Sequence, residues 1–376
     1  VAQDWLVLAV LTRHNAGAVG VVMALQFGPQ LLLLPWSGYA ADRCDRRKLL
    51  IATQAALGLL ALGLGLVTVA GVVTLWQVYA FAFLLGCVSA FDAPARQVFV
   101  NDLVGDGHLA NAVALNSTSF NAARMIGPAV AGLLIAVVGC GWVFLINAAS
   151  FAGVLASLLL LRVDQLHGGE RGPRKAGGVA EGFRYVWRRP DLTAVLVMLF
   201  LIGTFGLNFP IFISTMSLTA FRGGAGQYGL LTSAFAIGSV GGALYSAYRS
   251  QPGMAVLGTA AAVFGAGCTL AALAPDEGLF AAALVLTGAA ALMFATGTNS
   301  LMQLTTEPAM RGRVMALRIA VAMGGTPLGA PVVGWVPDRF GPRWALGVGA
   351  ASGLAAMLVA LRHMAGSRVQ PTAAQA

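Results

Sequence analysis

Charge is scarce in this sequence. Only 10% of its 376 residues are Asp, Glu, Lys or Arg, against about 25% in an ordinary soluble domain, which excludes one large water-soluble core. Lysine is almost missing. Lys48 and Lys175 stand alone, and neither sits in the G-K-[ST] context of a phosphate-binding loop, so the chain carries no ATPase motif of its own. The four histidines (His14, His108, His167, His363) are scattered, and neither H-E-x-x-H nor G-x-S-x-G occurs, which argues against an embedded hydrolase. The four cysteines (Cys44, Cys87, Cys140, Cys268) lack metal-ligand spacing and read as small apolar packing residues. No metal, cofactor or catalytic residue is expected. No cleavable signal-peptide pattern is read in the given residues, with no basic n-region and no A-x-A site before a polar chain.

What fills the chain is apolar. Hydrophobic residues make up 58% and glycine 48 positions, with a mean hydropathy of +0.80. The glycines sit inside apolar runs, where small residues let membrane helices approach closely. Crossing about 30 Å of hydrocarbon takes about 20 apolar residues as helix. On that scale spans fall at 19–41, 49–70, 74–94, 110–137, 142–161, 192–214, 227–248, 254–274, 279–303, 314–336 and 344–361. "VAQDWLVLAVLT" at 1–12 is apolar but too short to cross, and the chain starts with Val. It is expected to be the later part of a first helix whose beginning is missing, making twelve spans in all.

The few charges are unevenly placed. Of 23 Lys and Arg, 17 fall in the loops after spans two, four, six, eight and ten and in the tail. Arg13, Arg222, Arg339 and Arg343 lie on the other side, and Arg124 and Arg318 within spans. By the positive-inside rule both termini are cytoplasmic. The net charge of +9 therefore reports topology, and no nucleic-acid partner is expected. The expected organisation is a bundle over 1–161, a cytoplasmic linker over 162–191, a second bundle over 192–362 and a tail over 363–376. Within the linker, Phe183, Val186 and Trp187 alternate with Glu181, Arg184, Arg188 and Arg189, the pattern of an amphipathic helix on the inner leaflet.

The two halves repeat. "ALNSTSFNAARMIGPAVAG" (114–132) and "ALRIAVAMGGTPLGAPVVG" (316–334) align at a constant offset, with Ala114/Ala316, Leu115/Leu317, Gly127/Gly329, Val130/Val332 and Gly132/Gly334 identical. Two six-helix halves related in this way form a transporter architecture, with a site between them near the midplane.

One short loop concentrates charge. "GYAADRCDRR" (38–47) stands between runs without any, from Arg13 to Asp42 and from Lys48 to Asp92. Gly38 permits close helix approach, Asp42 can face the positive end of a helix dipole, and Arg43, Arg46 and Arg47 can bond carboxylates or carbonyls, with Asp92 a candidate. Asp45 reads as a solvated loop charge. The order Gly38-x-x-x-Asp42-Arg43-x-x-Arg46-Arg47 resembles the cytoplasmic signature of the major facilitator superfamily. "FDAPARQVFVNDLV" and "ANAVALNSTSFNAARMIGPAVAGLLI" are similar to its branch of enterobactin exporters and macrolide efflux proteins. Gly127-Pro128-x-x-Ala131-Gly132 resembles the fifth-helix exporter motif, with Ala123 and Ala131 where that pattern prefers Gly. In the second half the matching loop is degenerate, with Gly242, Ser246 and Arg249 but no Asp.

The resemblance implies an all-α integral membrane fold of two six-helix bundles and a secondary exporter of a small amphipathic compound, siderophore- or drug-like. An importer or uniporter of a small solute is the alternative. It implies a gate in which Gly38, Asp42, Arg43, Arg46, Arg47 and Asp92 hold the cytoplasmic side shut, Asp42 facing the start of span eleven. Protons are the expected coupling ion, the inner membrane the location and a monomer the functional unit.

Two intramembrane charges carry the coupling question. An unpaired Arg at the centre of a span costs roughly 2.5–3.5 kcal/mol on the insertion scale. Arg124 shares a helical stripe with Ser117 and Asn121, and the fold implied by the resemblance makes helices one and five neighbours, so an Asp4–Arg124 pair is expected. Asp4 is the candidate proton carrier; a permanent structural pair is the other reading. Span four lacks the Arg that related drug exporters carry. Arg318 is expected to snorkel or to pair with Glu307. Candidate cavity residues are Ser117, Asn121, Phe205, Asn208, Phe209, Met293 and Asn299, because apolar walls with few polar anchors suit amphipathic molecules.

Overall fold

The computed structural model describes residues 1–12, 15–33, 36–37, 40, 44–104, 109–161, 179–248, 253–307 and 310–368. Among them every regular element is a helix. Nine helices among the described residues are long and apolar enough to cross a membrane. In chain order we label α1 (Ala2–Leu11), α2 (Ala16–Leu32), α3 (Arg46–Val69) and α4 (Leu75–Val104). A run over Leu109–Leu160 follows, some 78 Å of helix by axial rise and too long for one crossing. It breaks at Gly139, whose φ of 80° and ψ of 166° are non-helical, a left-handed φ that glycine adopts without a Cβ penalty. Its arms are α5 (109–138) and α6 (140–160). Then come α7 (Val179–Trp187), α8 (Pro190–Ala220), α9 (Ala225–Tyr248), α10 (Met254–Leu273), α11 (Glu277–Thr305), α12 (Arg311–Phe340) and α13 (Pro342–Arg368). Helices α1–α6 correspond to spans one to six, and α8–α13 to spans seven to twelve.

Packing follows the glycines. In the first half α6 lies antiparallel to α3: a Cβ at Gly65 would meet Leu145, and one at Gly58 would meet Phe151. In the second half Gly238 and Gly242 of α9 seat against the Val285 and Ala289 carbonyls of α11, and Gly265 of α10 against α13. Two seams join the halves. Along α2 and α12, a Cβ at Gly20 would stand 2.3 Å from the Ala330 carbonyl, and one at Gly334 2.6 Å from that of Ala16. Along α5 and α9, a Cβ at Gly229 would stand 2.4 Å from the Pro128 carbonyl, and one at Gly132 2.9 Å from the Gly229 Cα. Such approaches leave no room for any other residue, and they explain why apolar runs carry so much glycine.

Helix α8 is discontinuous. A π-helical stretch over Ile202–Gly206 gives way to non-helical dihedrals at Leu207 and Asn208 before helix resumes at Phe209. Pro210 has no N–H to return to the Gly206 carbonyl, so the ladder cannot run through. The Asn208 side chain repairs part of the gap, donating from Nδ2 to the Thr204 carbonyl at 2.8 Å.

The linker helix α7 docks on the second half. Val186 is buried, Glu181 pairs with Arg313 at 3.4 Å, and the Glu307 N–H donates to the Tyr185 hydroxyl at 3.4 Å. Just after it, Arg189 donates to Asp191 at 2.7 Å, and that bond holds the guanidinium pKa above its ordinary value. Phe183 and Trp187 stack with ring centroids 5.5 Å apart and stay exposed at 52% and 70%. The expected apolar face is thus divided between a core contact and an exposed aromatic pair.

Candidate transport site and gates

At the end of the molecule far from the linker, α12 finishes beside the start of α2. Asp338 Oδ1 accepts from the Ala16 N–H at 2.7 Å, and its Oδ2 from the Gly17 N–H at 2.8 Å. The Asn15 side chain accepts from the Ala18 N–H at 3.0 Å. The orphan donors of the α2 first turn are therefore shared between its own N-cap and a carboxylate 322 residues away. The carboxylate also faces the positive end of the α2 dipole. A cavity of about 380 Å³ opens here, lined by Thr12, Asn15, Thr215, Thr219, Pro337, Asp338 and Pro342.

Asp338 belongs to a pattern that sequence reading passed over. Gly334-x-x-x-Asp338-Arg339-x-x-x-Arg343 reproduces the spacing of Gly38, Asp42, Arg43 and Arg47. In the sequence the copies fall between α2 and α3 and between α12 and α13, the places that inverted three-helix repeats within each half make equivalent. Their last arginines behave alike. Arg343 donates to the Ala272 and Ala274 carbonyls at 3.3 and 3.1 Å, closing the end of α10. Arg47 donates to the Leu158 and Leu159 carbonyls at 2.8 and 3.0 Å, closing the end of α6. Gly38, Asp42 and Arg43 lie outside the described residues. Asp45 proves to be the N-cap of α3, accepting from the Lys48 N–H at 3.2 Å, rather than a bare loop charge.

Asp92 is 3% exposed. It accepts from Thr53 Oγ1 at 2.9 Å and Gln54 Nε2 at 2.7 Å and pairs with Arg96 one turn along α4. The partner that sequence reading overlooked was this arginine at helical i,i+4 spacing.

Asp4 makes a contact across the halves. It accepts from the Tyr228 hydroxyl of α9 at 3.2 Å. Trp5 stacks on the Tyr228 ring at 6.1 Å. The expected partner, Arg124, lies on α5, but its side chain is outside the described residues, as are those of Ser117 and Asn121. A second cavity, about 290 Å³, lies within the first half beside Gln3, Leu64, Phe81 and Asn147.

The fifth-helix motif forms part of the α5–α9 seam. Gly132 is the member that close packing demands, whereas a Cβ at Gly127 would meet open space. The Ala129 N–H donates across the seam to Ser233 Oγ at 3.1 Å. Ala123 is exposed and Ala131 half-buried.

Of the aromatic stripe on α8, Phe205 is half-buried. Asn208 and Phe209 are buried, Phe209 stacking on Phe235 at 3.9 Å and meeting Phe212 and Phe264 edge-on. Met293 and Asn299 on α11 are half-buried. Arg318 is not paired with Glu307: its Nη2 donates to the Ala295 carbonyl at 2.8 Å and to Thr298 Oγ1 at 3.3 Å. Among the described residues no His, Cys, Asp or Glu cluster could hold a metal ion.

Two packed helical bundles, glycine seams between them and a broken helix beside the seam define a membrane transporter of the two-bundle type. The chain matches the family model described as "Transmembrane secretion effector" over residues 1–374 and belongs to that family, within the major facilitator superfamily. It is 27% identical over 367 residues to the multidrug efflux pump Tap of Mycolicibacterium fortuitum, covering 91% of this chain and 85% of that one. It is 25% identical over 379 residues to the enterobactin exporter EntS of Escherichia coli K12, covering 96% and 88%. Two other relatives are matched over only 48% and 40% of their own lengths. The fold is that of a bacterial homologue of the iron transporter ferroportin solved in an inward-facing state, with a TM-score of 0.73 at 15% identity over 96% of this chain and 94% of the other.

Proposed function

We propose that this protein is a proton-coupled exporter of a small amphipathic compound, siderophore- or drug-like, working by alternating access in the inner membrane as a monomer with both termini cytoplasmic. The observation that carries the reading is Asp338 bridging α12 to the first turn of α2, together with the seams beside it. The bonds of Asp338 to Ala16 and Gly17, of Tyr228 to Asp4 and of Ala129 to Ser233 cross the halves toward the end far from the linker. With the linker cytoplasmic, these contacts hold the outward side closed. Rocking the halves would release Asp338 and bring the matching loop, with Asp42, onto the start of α12.

Asp4 is the proposed proton carrier. A carboxylate accepts a hydroxyl hydrogen bond across the seam more strongly than the neutral acid does, so its protonation is linked to the rocking of the halves, which is the linkage an antiporter needs. Relatives named as an efflux pump and an exporter support the outward direction. The test uses intact cells preloaded with a fluorescent amphipathic dye. Export should collapse when a protonophore discharges the gradient while ATP is maintained. Export that survives the protonophore would overturn proton coupling.

A further inference from the structure

Arg318 carries a charge that its surroundings leave unbalanced. It lies seven residues into α12 from Arg311, about 10 Å along the axis. The carbonyl it reaches, Ala295, lies ten residues inside α11 from Thr305, about 15 Å from the same end. A helical side chain leaves its Cα tilted toward the helix N-terminus, here the linker end. An arginine snorkelling to water would continue that way, but Arg318 turns inward to the bundle.

Its neighbours differ. Arg189 and Arg313, nearer the linker end, have Asp191 and Glu181 as partners at 2.7 and 3.4 Å. Arg318 meets a carbonyl and a hydroxyl, both neutral, and no carboxylate within 4 Å among the described residues. Its Nε is buried without an acceptor, although the side chain as a whole stays partly accessible. Two turns along the same face of α12, Gly325 packs on Thr204 of α8. Thr204 Oγ1 and Asn208 Oδ1 are the other buried side-chain atoms left without a partner among the described residues. Thr204, set against α12, and Asn208, one turn further along α8, thus add a hydroxyl and an amide oxygen with unmet hydrogen bonds on the helix that packs beside Arg318's own.

Resting on the exporter reading, we propose that Arg318 recognises the cargo, and that the cargo carries an anionic two-oxygen acid group, a carboxylate. A guanidinium edge offers N–H donors in a planar fork that matches a two-oxygen acid. An ionisable group inside a membrane bundle that lacks a protein counter-charge marks a ligand path. Nη1, which makes no hydrogen bond among the described residues, takes the anionic oxygens, while Ala295 and Thr298 hold Nη2 in place.

The test is a matched pair of probes, 2-naphthoate and its neutral isostere 2-naphthamide, with the full chain in phosphatidylcholine vesicles. The wild type should bind naphthoate saturably and at least tenfold more tightly than naphthamide. Arg318→Gln should lose that preference, and Arg318→Lys, which keeps the charge but not the fork, should retain part of it and report on folding. Equal binding of the two probes, or a preference that survives Arg318→Gln, overturns the proposal. Competition by added phosphatidylglycerol would assign Arg318 to a lipid headgroup and overturn it as well. If naphthoate binds through Arg318 but is not moved in either direction, the exporter reading fails and the anion site stands.

Discussion

Asp338 accepts the Ala16 N–H at 2.7 Å, joining the last turn of α12 to the first turn of α2 across the two halves. With the Gly17 N–H on its other oxygen at 2.8 Å, this carboxylate caps a helix it does not belong to. Removing a side-chain cap costs about 0.5–2 kcal/mol, a two- to thirtyfold shift between states. Asp338→Ala should raise labelling of Thr219→Cys, in the cavity lined by Asp338, by a membrane-impermeant maleimide to that extent. Asp338→Asn keeps one acceptor and should fall between. Unchanged labelling in a well-folded Asp338→Ala variant would remove the latch.

The seams make a sharper prediction within one motif. Gly127 and Gly132 sit five residues apart on α5, but only Gly132 faces backbone across the halves. Overpacking a close contact costs about 1–3 kcal/mol, whereas Gly to Ala in an open helical position gains about 0.5–1 kcal/mol. Thermal unfolding in detergent should show Gly132→Ala melting lower than wild type and Gly127→Ala equal or higher. The reverse order would mean that the motif acts through something other than the seam.

Much of this was legible beforehand, and the reasons differ by feature. The all-helical membrane fold followed from hydropathy, because a bilayer forces each crossing to be a long apolar helix. The break between spans five and six was expected after 137 and falls at Gly139. Local chemistry was partly readable: the role of Asp45 as an N-cap depends only on the residues after it. Asp338 and Tyr228 were invisible to local reading, since their partners lie 321–322 and 224 residues away. For Asp338 a signal did exist, because 334–343 repeats the spacing of 38–47. It was sought in the parallel repeat, at Gly242, while the structure puts it in the inverted one. Nothing in the sequence told Arg318 to turn inward, since the direction of a long side chain is set by which neighbour offers an acceptor.

Asp4 and Tyr228 separate proton coupling from simple packing. Asp4→Asn removes the titratable group but keeps an oxygen for the Tyr228 hydroxyl at its present 3.2 Å. It should insert and fold normally, lose proton-driven export, and still allow slow exchange of substrate down its own gradient. Tyr228→Phe removes the hydrogen bond while keeping the Trp5 stack, so export should survive with an altered pH dependence. Proton movement measured with a pH-sensitive dye in vesicles distinguishes the variants. Wild-type proton movement in Asp4→Asn would transfer the coupling role elsewhere.

The two copies of the G-x-x-x-D-R-x-x-x-R pattern predict opposite effects from the same substitution. Asp338 holds the end far from the linker shut by capping α2. Asp42, in the equivalent turn at the other end, should hold the linker end shut by capping α12 in the alternate state. Because α2 and α12 pack antiparallel along one seam, the start of α12 lies toward the end of α2, after which the sequence carries Asp42. Asp42→Ala should therefore lower labelling of Thr219→Cys, and Asp338→Ala should raise it. The double variant should return toward the wild-type ratio, since both states lose a cap of similar worth, with transport slower because neither state is held long enough to load. If both single substitutions shift labelling in the same direction, the two loops are not reciprocal latches, and the shared spacing reflects only helix-end capping within each half.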